Sequence, residues 1–293
     1  MNKNAFLVAS TVLLAACSPD PTTQAPGAAQ PPLTIEVFTS SPNGFSVTST
    51  LVYGERDLVL IDPQFLLSEA REVVERIRAT GRTLTTIYTT HAHPDHFLGV
   101  AAIKEAFPDA RYVALPQVRE RIATAWPARR NFWVATYGDD LPSETPIMPD
   151  PVEGVLLLEG QELRLTGEVM GDGPGNSFVH IPVLDAVVAG DIVFNRSHFS
   201  PPADAAPLLA TLAQIEALEP AILVAGHQPQ GAPNDPGAIE FMRNYIADFE
   251  RFRAGSTSAA ELEAKMREKY PGLALENLLT GAAGRAFPTA GAQ

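Results

Sequence analysis

Thr90-His91-Ala92-His93-Pro94-Asp95-His96 is the stretch that decides how this chain reads. It holds three of the six histidines in 293 residues, beside a carboxylate and directly after the apolar run from Leu84 to Thr90. Neutral imidazole is the commonest zinc ligand, and two histidines one residue apart on extended backbone point to the same side. A purely structural role would need all three histidines to find partners within one short turn. A metal accounts for the cluster more directly.

Working outward, the same pattern recurs. Tyr88-Thr89-Thr90-His91, Val169-Met170-Gly171-Asp172, Val188-Ala189-Gly190-Asp191 and Val224-Ala225-Gly226-His227 each end an apolar run in a small or polar residue followed by a potential ligand. Sites gather where strand ends converge on one edge, so these four junctions are expected to meet. The glycines are expected to let the backbone turn sharply beside the site.

Alternating apolar residues and turn signals predict strands over 33–39, 44–53, 58–61, 84–90, 111–114, 155–158, 162–165, 177–182, 186–189 and 221–225. Helical periodicity predicts helices over 68–80, capped by Ser68 and ended by Gly81, and over 98–107, 207–218 and 239–252. Two sheets with helices outside follow, an α+β layered sandwich over 33–255. Residues 116–151 read as a long loop carrying Trp126, Phe132, Trp133 and Tyr137. Ser258-x-x-Glu261 is a capping box that opens a helical tail over 256–293, packed on the domain.

Apolar residues make up 45% and charged residues 19%, a globular composition. A net charge of -13 argues against nucleic acid and leaves a small molecule as the expected partner. No phosphate loop, dinucleotide fingerprint or Gly-x-Ser-x-Gly elbow is present. Lys3 and the apolar run to Ala16 read as a signal peptide over 1–16. Leu14-Ala15-Ala16-Cys17 resembles the lipobox of bacterial lipoproteins, which implies lipidation at Cys17 and a membrane anchor. Ser18 after it, rather than Asp, implies the periplasmic face of the outer membrane in a Gram-negative envelope. Residues 17–32, rich in Pro and Ala, read as a tether. Cys17 is the only cysteine, so no disulfide forms within the chain.

The His-x-His-x-Asp-His segment followed in order by Gly190-Asp191 and Gly226-His227 resembles the metallo-β-lactamase superfamily. The resemblance implies a four-layer αββα sandwich with a metal pair at the edge between two sheets. By motif, Asp95, His96 and His227 would hold one metal, Asp191 would bridge, and His91 and His93 would hold the other. The usual third histidine of that second site sits in a Gly-His-Thr-x-Gly turn. Here the segment is Gly171-Asp172-Gly173-Pro174-Gly175-Asn176, with Asp172 in the histidine's place. Two histidines and a carboxylate suit zinc and also non-haem iron. Two zinc ions are the expected cofactor, with iron or manganese as alternatives at the His91/His93/Asp172 site.

Asp62, just beyond an apolar strand, is expected to orient a ligand histidine. Phe132, Trp133, Tyr137 and His198 are candidates for the substrate pocket, the aromatics being alternatively an anchor for the loop. His180 reads as a sheet residue. The implied function is hydrolysis of an ester, lactone or related carbonyl by metal-bound hydroxide, with Asp95 orienting the nucleophile or carrying its proton. The alternatives are an envelope β-lactamase, with Arg129, Arg130 or Arg196 meeting the substrate carboxylate, and a mononuclear iron redox or non-catalytic binding protein on the same fold.

Overall fold

The computed structural model describes Met1, residues 32–142 and residues 146–288, without side chains over 127–131. The leader, Cys17, the tether up to residue 31 and the side chains of Arg129 and Arg130 lie outside the described residues.

The layering follows from alternation along single strands. Leu58 and Leu60 pack on helices α1 (Leu67–Thr80) and α2 (Val100–Ala106), while Val59 and Ile61 face a second sheet. A strand covered on both faces must supply two apolar sets at a period of two. This strand, β3 (Asp57–Ile61), lies in a six-stranded sheet ordered β1 (Thr34–Thr39), β2 (Thr48–Tyr53), β3, β4 (Thr83–Thr89), β5 (Arg111–Ala114) and β6 (Asp150–Pro151). The first three strands run antiparallel, and β3 to β6 run parallel. Each parallel step needs a crossover, supplied by α1, α2 and α3 (Pro116–Tyr137).

The second sheet contains β7 (Val155–Leu158), β8 (Gln161–Met170), β9 (Pro174–Ile181), β10 (Ala186–Val188) and β11 (Ile222–Val224). Its order is β11-β10-β9-β8-β7, parallel only at β10–β11, where α4 (Ala206–Glu216) makes the crossover. Ala186 and Val188 join the core between the sheets, and Val187 faces outward to α4 and α5 (Gly237–Ala254). In the same outer layer, α6 (Ala259–Lys269) buries Leu262 and Met266, and α7 (Glu276–Ala286) buries Leu279, Ala282 and Ala283. The result is the expected four-layer αββα sandwich.

Residues 116–137 correct the loop expectation: they form α3, and one turn of 3-10 helix at Gly138–Asp140 follows it. Pro116 stands in the first turn, where a missing N–H costs nothing. Val118, Ile122 and Trp126 recur at helical spacing and are buried in the core between the sheets. Burying them contributes about 1.5–3 kcal/mol each. Together that outweighs the roughly 3 kcal/mol cost of Pro127 in the helix interior. Ser68 also differs from expectation. It lies inside α1, and its N–H and hydroxyl both donate to Asp140 at 2.8 and 2.6 Å. Ser258 does cap α6, its Oγ accepting from the Glu261 N–H at 3.2 Å, but the reciprocal half of the box is shifted by one residue: Glu261 Oε2 accepts from the Thr257 N–H at 2.8 Å.

Candidate metal centre

The four junctions meet at the edge between the sheets. His91 follows β4, Asp172 stands in the β8–β9 turn, Asp191 follows β10 and His227 follows β11. His93, Asp95 and His96 belong to the turn after β4, in which residues 94–96 form one turn of 3-10 helix. Two groups of potential ligands result, His91, His93, Asp172 and Asp191 on one side and Asp95, His96 and His227 on the other. Asp191 faces both. Its Oδ2 lies 3.1 Å from His91 Nε2 and 3.1 Å from His93 Nδ1. Its Oδ1 lies 3.0 Å from both His96 Nε2 and His227 Nε2. Asp172 Oδ2 is 3.4 Å from His93 Nδ1, and Asp95 Oδ2 is 3.5 Å from His227 Nε2.

The outward nitrogens of three histidines are already committed. His96 Nδ1 donates to Asp62 Oδ2 at 2.8 Å, and His227 Nδ1 donates to the Phe45 carbonyl at 2.8 Å. His91 Nδ1 donates to Thr90 Oγ1 at 3.0 Å, and that hydroxyl donates to Asp62 Oδ2 at 2.8 Å. In the neutral rings the Nε2 lone pairs therefore aim inward, the arrangement of metal-bound histidine. Asp62, on left-handed backbone at φ 57°, is the carboxylate that orients two of them. Despite these short approaches, the buried atoms His91 Nε2, Asp172 Oδ1 and Asp191 Oδ1 make no well-formed hydrogen bond among the described residues. Lone pairs and carboxylates converging in a buried site suit a divalent cation.

The electrostatics agree. Burial opposes charge on every histidine here, yet the carboxylates overcome it at three of them. Asp172 and Asp191 lift His93 to about 9, Asp191 and Asp62 hold His96 well above its usual value, and Asp191 raises His227. At His91 burial prevails over Asp191 and lowers the value. Asp191, despite its burial, is held well below the usual carboxylate range by His227, His96 and His91. Burial raises Asp172. The site draws positive charge inward, and a metal ion satisfies the same field.

The sharp-turn expectation holds at one of the junction glycines and is replaced by another constraint at a second. Gly190 has φ 52°, so it does make a turn that favours glycine. Gly226 is needed for closeness instead, because a Cβ there would stand 2.5 Å from the Gly190 carbonyl carbon and 2.6 Å from Asp191 Oδ1.

A cavity of about 380 Å³ opens over the ligands, walled by Phe45, Phe65, Trp133 and Leu278 and edged by Asp95 and Arg285. Of the pocket candidates only Trp133 lines it. Phe132 is 66% exposed, with its ring 4.9 Å from Trp133, so it covers the outer side of that ring rather than the cavity. Tyr137 stands behind the wall, 5.0 Å from Phe65. His198 is not among the cavity residues: it is buried, with Nδ1 2.9 Å from the Tyr245 hydroxyl. His180 lies within β9 opposite Val187, and Arg196 is not among the cavity residues. Phe45, Leu278 and Arg285 carried no sequence signal, since each lies outside the ligand motifs.

Asp62→Asn keeps a residue tolerant of left-handed backbone while removing the charge. It is expected to weaken metal binding by roughly 10–100-fold, read by competition with a chromophoric chelator. Unchanged affinity would show that Asp62 only braces the turn.

A family model described as the metallo-beta-lactamase superfamily matches residues 42–227. A beta-lactamase domain protein from Burkholderia ambifaria is similar in structure, with a TM-score of 0.62 and 19% identity over 90% of this chain and 88% of that one. A metallo-beta-lactamase family protein from Thermus thermophilus gives 0.57 and 21% identity over 86% and 93%. At these identities the likeness shows the fold. A hydroxyacylglutathione hydrolase from Albidiferax ferrireducens is 41% identical over 56 residues, 19% of this chain and only 20% of that relative's length. With the family match spanning more than half of the sequence, and the sandwich and its His/Asp site in place, the chain belongs to the metallo-β-lactamase superfamily.

Proposed function

We propose that the protein is a hydrolase of esters, lactones or related carbonyl compounds that works with two zinc ions. The observation that carries this reading is Asp191, one buried carboxylate with each oxygen about 3 Å from two imidazole nitrogens. A shared carboxylate between two histidine pairs is what a dinuclear centre requires. Such ions, when bound, acidify water towards neutrality and polarise a carbonyl. His91, His93, Asp172 and Asp191 would hold one ion, and Asp95, His96, Asp191 and His227 the other.

The chain's own residues supply the rest. Asp95, less buried than Asp191 and on the cavity edge, can orient the attacking water, accept its proton on the carboxylate oxygen that would not hold the ion, and pass it to the leaving group. Phe45, Phe65 and Trp133 form a wall that excludes water and seats an apolar group; their rings lie 5.3–5.7 Å apart. The short stretch shared with a relative named for hydrolysing hydroxyacylglutathione supports an acyl substrate.

Metal analysis of the purified protein tests the reading, with two zinc equivalents expected. Dialysis against a strong chelator is expected to abolish turnover of aryl esters and lactones, and added zinc to restore it. Full activity in metal-free protein overturns the proposal. One iron equivalent turns it towards oxidative chemistry, and turnover of nitrocefin in preference to esters turns it towards a β-lactamase.

A further inference from the structure

Leu278, Ala282, Arg285 and Ala286 recur along α7 at helical spacing, and all four line the space over the metal ligands. The helical tail is thus part of the cleft rather than only a cover for the outer core. Two arms of the cleft meet at His93 and Asp172. One is the aromatic cavity already described. The other, of about 570 Å³, is bounded by Ser200, Pro202, Phe249, Arg253 and Ala282. Arg285 borders both arms.

The two arginines at the second arm are in different states. Arg253 is neutralised by Glu250, with Nη2 to Oε2 at 2.9 Å. Arg285 has no ion-pair partner among the described residues; its Nη2 donates to the Ser200 hydroxyl. Its guanidinium folds back over Gly281, where a Cβ would stand 3.4 Å from Nη1. One hydrogen bond and the contact with α7 hold the group in place, and its other N–H groups stay free for a ligand. The net charge of -13 repels anions at long range, but such fields are screened beyond about 8–10 Å at ordinary salt. Contact charge then decides what the cleft accepts.

We propose that Arg285 is the anion-recognition residue of this cleft. On the hydrolase reading, the substrate is then a carbonyl compound with a carboxylate on one side of the scissile bond and an apolar group on the other. The planar guanidinium matches a carboxylate in two-pronged fashion. The apolar group lies along Phe65 and Trp133, and the carbonyl falls between them over His93, Asp172 and Asp95. A specificity element on α7 also separates recognition from the ligand motifs, which lie on the strand ends.

The test uses the metal-loaded full chain and two esters that differ only in charge, 4-nitrophenyl glutarate and its methyl-capped diester. The wild-type protein is expected to prefer the acid by roughly tenfold or more, through KM rather than kcat. Arg285→Ala is expected to erase that preference, and Arg285→Lys to restore part of it. If neither ester is hydrolysed, the carbonyl-hydrolase reading fails. Calorimetric binding of monomethyl glutarate against dimethyl glutarate, on wild type and Arg285→Ala, then decides the role of Arg285 by itself. Equal handling of acid and neutral probes by the wild type, or a preference that survives in Arg285→Ala, overturns the proposal.

Discussion

Asp191→Asn is expected to lower kcat/KM by at least about three orders of magnitude, a loss of about 4 kcal/mol in transition-state stabilisation. The size of the effect follows from the position of the carboxylate. Asparagine has nearly the same shape, so the fold around it should stand. Its amide, however, carries no charge and turns an N–H2 towards one of the two histidine pairs. One side of the site would then face a donor where it needs an acceptor, and both sides would lose the shared negative charge. Metal content should fall together with turnover, measured by atomic emission on protein dialysed at low free zinc. The ester that the wild type hydrolyses fastest supplies the rate. A variant with full metal content and activity within about threefold of wild type would mean that the two groups of ligands work independently.

Gly226→Ala has the second large effect, by a different route. The new methyl would meet backbone on one side, the Gly190 carbonyl carbon at 2.5 Å and its oxygen at 2.6 Å, and the Asp191 carboxylate on the other. No flexible side-chain end is there to swing aside. Two hydrogen bonds also fix this backbone, from the Gly226 N–H to the carbonyls of Gly190 and Val193, each at 3.0 Å. Overpacking at such a point costs about 3 kcal/mol. In a domain of this size that lowers Tm by about 6–12 °C. Relief of the clash must move Asp191, so metal is lost as well. Calorimetry with and without zinc separates the two contributions, and a variant with wild-type Tm and metal content would show that the loop after β10 is softer than its packing implies.

How much of this could be read in advance depended on whether the determining signal was local. Leu58, Val59, Leu60 and Ile61 declare a strand covered on both faces, and the two sets do go to different layers. The ligands stand out because strand ends set them side by side at fixed points after apolar runs, and the structure brings those points together. Helix α3 was hidden because its prolines and aromatics resemble loop composition, whereas its stability comes from three side chains buried against distant strands. The cap of α1 was misread for the same reason: Asp140, far along the chain, binds the first turn at Ser68. Of the glycines, Gly190 obeys backbone conformation, which sequence can suggest, and Gly226 obeys a neighbour it meets only after folding. Arg285 sits in a tail with no chemical pattern around it, so only the placement of α7 over His93 reveals it.

The hydrogen bond from His227 to the Phe45 carbonyl spans 182 residues, and the neighbouring Thr48 N–H reaches the Gly226 carbonyl at 2.9 Å. The site is therefore closed by segments that lie far apart along the chain. The turn around His91 to His96 holds only part of the site until the segments that carry Asp191 and His227 dock beside it. A metal ion would therefore meet its full set of ligands only on the assembled domain, and its binding would stabilise the completed fold.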